Sequence, residues 1–175
     1  MFKPFLALVL AASALSAAAH QHAHTHGLMT LDVAVDAQTI TLAIASPLDS
    51  FLGFERAPRS DAERKQVADM VARLKAADQL FQPDAAAGCK LSKVDLESAA
   101  LGLGAAHDHG DKNEHADIAV DIVFSCAKAV DARFIDVKLF DAYPRLRSID
   151  AQVAAPQGQF KRSLRPAAAR LGLTR

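Results

Sequence analysis

The strongest constraint on this chain is a strict two-residue hydrophobic period. Ile118, Val120, Ile122, Phe124 and Cys126 alternate with Ala119, Asp121, Val123 and Ser125. The same period runs through Met29, Leu31, Val33 and Val35, and again through Ile40, Leu42 and Ile44. Alternate residues of a strand share a face, so these segments must form a sheet with one side buried. Asp36-Ala37-Gln38 is a short enough joint for the first two strands to form a hairpin, and Pro47, with no N–H to donate, ends the second. Cys89 to Leu96 reads as a third strand whose parity breaks near Lys93, the mark of a bulge. Ile135, Val137 and Leu139 predict a further strand, followed by a turn at Asp141-Ala142-Tyr143-Pro144. Ile149, Ala151 and Val153, the Pro156-Gln157-Gly158 turn, and Phe160 to Leu164 predict a last hairpin. The Ala- and Arg-rich tail after Pro166 is ambiguous.

One segment breaks the strand pattern. Ser60-Asp61-Ala62-Glu63 is a capping box, and Val67, Met70, Val71, Leu74 and Leu80 follow at helical spacing, which predicts an amphipathic helix over about Asp61 to Gln79. Phe51, Phe54 and Pro58 read as a packed loop before that helix, with Glu55 as a ligand or, in the reading preferred here, a solvated charge. The expected fold is α+β: a mostly antiparallel β-sheet with one main amphipathic helix packed on it, in a single domain over residues 28–175.

Met1 to Ala19 has the three-part layout of a secretory signal peptide: Lys3, an apolar stretch from Phe5 to Leu15, then Ala17-Ala18-Ala19. The stretch is shorter than the roughly 20 residues a spanning helix needs, so no membrane insertion is expected after the signal is removed. Export into an oxidising compartment, with only two Cys in the chain, predicts a structural disulfide between Cys89 and Cys126.

The seven His fall into two groups, His20, His22, His24 and His26 in a tail over residues 20–27, and His107, His109 and His115 in a loop over 101–117. Imidazoles at alternate positions of an extended chain point the same way, so each HxH pair can chelate one ion. In the loop Asp108, Asp111 and Glu114 add carboxylates, which serve as zinc ligands or orient ligating imidazoles. The ten residues together form the expected metal-binding set, with Zn(II) as the first candidate. Cleavage after Ala19 would leave His20-Gln21-His22 as the new terminus. A free amine with His in third place is a planar chelate for Cu(II) or Ni(II), which makes a copper or nickel sequestering protein the alternative. A plain His-rich linker and a merely solvated loop remain open as readings of the two segments.

Two function classes are set aside. Twenty basic residues balance 20 acidic ones, and removing Met1 to Ala19 takes Lys3 away to leave a net charge of −1, so nucleic acid is not an expected partner. No catalytic residue is expected either. His107-x-His109-x-Asp111 begins like a metallo-β-lactamase motif, but Lys112 stands where the next His belongs and no His follows His115. Every His lies in a tail or a loop, away from any rigid element that would orient a catalytic base.

Phe51-Leu52-Gly53-Phe54-Glu55-Arg56-Ala57-Pro58, the capped helix, Ala87-Gly88-Cys89, the His26-Gly27 end of the tail, the His-rich loop between the Cys and the strand ending in Cys126 resemble the ZrgA-like family of periplasmic zinc-uptake proteins. The resemblance covers nearly all of the chain after Ala19. It implies a periplasmic protein that binds zinc and assists an ABC-type zinc importer, including its substrate-binding protein, without catalysis. Oligomeric state is not implied.

Overall fold

The computed structural model describes residues 25–104 and 116–174. Strands β1 (Leu28–Val35) and β2 (Thr39–Pro47) form the expected hairpin, closed by Asp36 N–H donating to Thr39 O at 2.9 Å. Next come three helices, α1 (Asp49–Leu52), α2 (Asp61–Lys75) and α3 (Ala77–Leu80), and strands β3 (Phe81–Pro83) and β4 (Cys89–Glu97). The chain continues through β5 (Asp117–Cys126), β6 (Phe134–Val137), α4 (Leu139–Ala142), β7 (Ser148–Ala155), β8 (Gly158–Leu164) and β9 (Arg170–Gly172).

A six-stranded sheet runs in the order β4-β5-β2-β1-β7-β8, and a three-stranded sheet runs β3-β6-β9. β1 and β7 pair in parallel, while the other ladders among the described residues are antiparallel. The fold is therefore α+β with an antiparallel-dominated sheet. The two-residue period does what the sequence requires of it. Leu31, Leu42, Ile122 and Ile149 are buried on one face, whereas Thr30, Asp32, Asp121 and Gln152 stand on the exposed face. Met70, Leu74, Leu80, Phe81, Ile135 and Leu171, from the helices and the small sheet, join the same core. Each fully buried side chain of this size stabilises by about 1.5 to 3 kcal/mol relative to exposure.

The expected bulge is present as a register shift between Leu91 and Lys93. Cys89 and Cys126 are a cross-strand pair joined by the expected disulfide.

Two expectations need correction, and one segment the sequence leaves ambiguous is settled. The main helix ends at Lys75 instead of Gln79, because Ala76 (φ −87°, ψ 50°) leaves helical geometry and Leu80 reaches the core from the separate turn α3. Leu139 lies in α4, and the burial of consecutive residues Leu139 and Phe140 suits a helical turn where a strand would expose one of them. The tail after Pro166 holds β9, which pairs with β6 and buries Leu171 and Leu173. The capping box forms as expected: Ser60 accepts from Glu63 N–H at 3.1 Å and the Glu63 carboxylate reaches back to Ser60 N–H, while also accepting from Arg59 N–H at 2.6 Å.

Candidate metal centre

Strand register fixes which ends of the sheet lie together. Leu28, the first residue of β1, pairs with Ser148, the first of β7. Pro47, the last of β2, pairs with Asp117, the first of β5, and Glu97, the last of β4, pairs with Ala119. The tail therefore enters, and the 105–115 segment leaves and returns, at one end of the large sheet. The disulfide closes the other end, where Thr39 pairs with Ser125 beside Cys126.

At the His-bearing end the short helix α1 ties both entry points down. Gly27 N–H donates to Ser50 Oγ at 3.3 Å, and Leu48 N–H donates to Ala116 O at 2.9 Å. Arg147 and Ser148 N–H both donate to Gly27 O, at 2.8 and 3.1 Å. Leaving the sheet on the other side, Ser98 bridges to Leu103, and its hydroxyl donates to Asp117 O at 2.7 Å.

This anchoring brings His26 against two carboxylates that the spacing of the His groups does not reveal. His26 Nδ1 lies 3.5 Å from Asp49 Oδ2, and its Nε2 lies 3.3 Å from Glu55 Oε1. The His26 side chain is 67% exposed, while those of Asp49 and Glu55 are 20% and 23% exposed. Glu55 Oε1 itself is shielded from solvent and accepts no hydrogen bond among the described residues. The sequence reading of Glu55 as a solvated loop charge thus misses its placement: Phe51-Leu52 packs on the core, and the turn at Gly53 carries Glu55 back toward the tail.

Two glycines make the approach possible. Gly27 (φ +78°) has Arg145 O 2.9 Å from where a Cβ would sit, and Gly53 (φ +81°) has the Arg145 guanidinium at 2.8 to 2.9 Å from its own. Both adopt the left-handed conformation that side chains disfavour. Below α1, Phe51 meets Tyr143 edge to face at 4.7 Å. Burial pushes the Tyr143 hydroxyl up to about 12, against the opposing charge of Arg73, so the ring stays neutral as a support for α1.

Arg56 does not compete for Glu55. Its guanidinium makes a paired hydrogen bond to Glu63, at 2.9 and 2.8 Å, and packs 4.9 Å from the Phe54 ring. That pair, with the Arg59 N–H bond, holds the Glu63 carboxyl down at about 2.

Of the expected metal-binding residues, His26 is described. His20, His22, His24, His107, Asp108, His109, Asp111, Glu114 and His115 lie outside the described residues. Among the described residues, no group of three or more His, Cys, Asp or Glu side chains is arranged to hold a metal ion. No described helix is long and apolar enough to cross a membrane.

No curated protein matches the chain. A family model does, over residues 23–173, and its description is ZrgA family zinc uptake protein. That span takes in the end of the tail, both segments anchored at α1 and both sheets, and the chain belongs to the ZrgA family of zinc uptake proteins.

Proposed function

We propose that residues 1–19 direct export to the periplasm, and that the mature chain captures Zn(II) there and assists an ABC-type importer by passing the ion to the importer's substrate-binding protein. His20, His22, His24 and His26 of the tail and His107, His109 and His115 of the loop, with Asp108, Asp111 and Glu114, supply the ligands. The role is accessory, and no chemical step is assigned to the protein. Residues 28–175 act as a single domain that presents both segments.

The observation that carries this reading is the joint anchoring of the two His-bearing segments at α1, at one end of the sheet of a zinc uptake family member. Two segments rooted side by side can share an ion or hand one between them. Ligands on a tail and a loop also exchange faster than a closed four-ligand site, which suits transfer over structure. The disulfide at the far end supports a structural role for the Cys.

The test is zinc accumulation in cells grown under zinc limitation. A strain carrying a variant without residues 20–26 and 105–116 is expected to accumulate as little zinc as one lacking the protein. Full accumulation with that variant, made in normal amounts, would refute the reading. Loss of copper or nickel handling by the variant strain, with zinc accumulation kept, would favour the alternative chelate at His20.

A further inference from the structure

We infer that Glu55 and His26 Nε2 form a two-ligand zinc-docking site on the folded domain, with Asp49 as a positioning residue that holds the imidazole for metal. This deepens the proposed function and rests on it. It adds to the tail and loop ligands a fixed place on the domain.

The argument starts from the proton count of imidazole. A neutral ring has one N–H and one lone pair, yet His26 faces a carboxylate oxygen at each nitrogen, at 3.5 Å on the Nδ1 side and 3.3 Å on the Nε2 side. If Nδ1 keeps the proton, its N–H faces Asp49, and the Nε2 lone pair is left facing Glu55 Oε1. Two lone pairs at that separation require a positive species between them, either a second proton on the ring or a metal cation that displaces it. Glu55 Oε1 makes the requirement sharper, because it is cut off from water and accepts no hydrogen bond among the described residues.

The separation suits a metal ion. Two ligands of a tetrahedral zinc, each about 2.0 to 2.1 Å from it, stand about 3.3 to 3.4 Å apart. The Nε2 to Oε1 distance is 3.3 Å. The Asp49 side has the arrangement in which a carboxylate takes the other ring N–H of a ligating His, fixing tautomer and orientation. The two nitrogens point away from each other, so Asp49 cannot bind the same ion, and the site has two protein ligands and open positions for water. That is why no group of three ligands is found among the described residues. With His26 67% exposed, an ion held there stays open to exchange.

The surroundings leave Glu55 available. Arg56 is committed to Glu63, and the positive φ of Gly27 and of Gly53 sets the two sides of the pair.

The test is Zn(II) titration of the mature full-length protein and of a background in which His20, His22, His24, His107, His109 and His115 are replaced by Ala. The background is expected to keep one zinc site, with a tetrahedral visible spectrum when Co(II) is substituted. Glu55→Gln and His26→Ala are each expected to weaken that site by about 10-fold or more, and Asp49→Asn by about 10- to 100-fold. Unchanged thermal midpoints show that the variants fold. For Asp49 two readouts separate positioning from structure. The nitrogen NMR spectrum of zinc-loaded His26 should show Nδ1 protonated and Nε2 metal-bound and lose that pattern in Asp49→Asn, and Asp49→Glu should recover part of the affinity. Background affinity unchanged by Glu55→Gln would overturn the inference while leaving zinc capture by the other His intact. A mature wild-type protein that binds no Zn(II) would overturn the proposed function and this inference with it.

Discussion

Replacing Gly27 with Ala probes the joint between tail and domain, and its cost can be worked from the structure. The residue sits at φ +78°, where an L side chain costs about 1 to 2 kcal/mol. The new Cβ would also lie 2.9 Å from Arg145 O and 3.1 Å from Arg147 Cγ. The first of these is backbone, which cannot rotate away, and overpacking of this kind adds about 1 to 3 kcal/mol. Gly27→Ala should therefore destabilise by about 2 to 5 kcal/mol, and the thermal midpoint should fall by about 2 to 4 °C per kcal/mol for a chain of this size. Two further glycines calibrate the estimate. At Gly53 (φ +81°) the crowding atoms belong to the guanidinium end of Arg145, which can swing aside, so Gly53→Ala should cost less. At Gly102 (φ +64°) nothing lies within 4 Å of the added Cβ, so Gly102→Ala should show the conformational term alone. The assay is urea unfolding of the three variants followed by circular dichroism, read as midpoints at constant slope. The expected order of damage is Gly27, then Gly53, then Gly102. A Gly27→Ala protein as stable as Gly102→Ala would refute the steric part of the reasoning, and one as stable as wild type would refute all of it.

Removing the disulfide by Cys89→Ser with Cys126→Ser opens a bridge between residues 37 apart in sequence. The loss should be about 3 to 4 kcal/mol in chemical unfolding, with zinc affinity unchanged because the bridge lies at the opposite end of the sheet. Glu63 gives a pH signature. Its carboxyl sits at about 2 in the folded protein against an ordinary 4.5, mainly through the Arg56 hydrogen bond and then the Arg59 N–H. A carboxyl lowered on folding stabilises above the ordinary value, and that contribution disappears as pH falls from about 4.5 toward 2. The wild-type minus Glu63→Gln stability difference should shrink across that window, and a flat difference would contradict the Arg56 pairing.

Most of the fold is legible in the sequence because two signals are local and unambiguous. The alternation in Ile118 to Cys126 needs no knowledge of neighbours to mark a half-buried strand, and the Ser60 cap marks where α2 begins. What escapes depends on partners distant in sequence. β9 is three residues long and becomes a strand through pairing with β6, and β3 is as short and contains Pro83. Leu139 fits a two-residue period with Ile135 and Val137, and the burial of Phe140 beside it, which reveals the helical turn, is a tertiary fact.

The candidate site divides in the same way. His-rich spacing marks metal chemistry in the tail and loop without structural help. Asp49 and Glu55 carry no such spacing, since they lie 23 and 29 residues beyond His26 and meet it through the fold of α1 and the turn at Gly53. The Phe51-Leu52-Gly53-Phe54-Glu55 run was the one signal that could have drawn attention to Glu55.

Isothermal titration of the mature protein with Zn(II) at neutral pH, beside a variant with all seven His replaced by Ala, tests the central claim most directly. The account predicts zinc binding by the wild type that weakens below about pH 6, where imidazole protonates and competes with metal, and loss of that binding in the variant. Equal zinc binding by the two proteins, or binding by the wild type that is the same at acid and neutral pH, would contradict it.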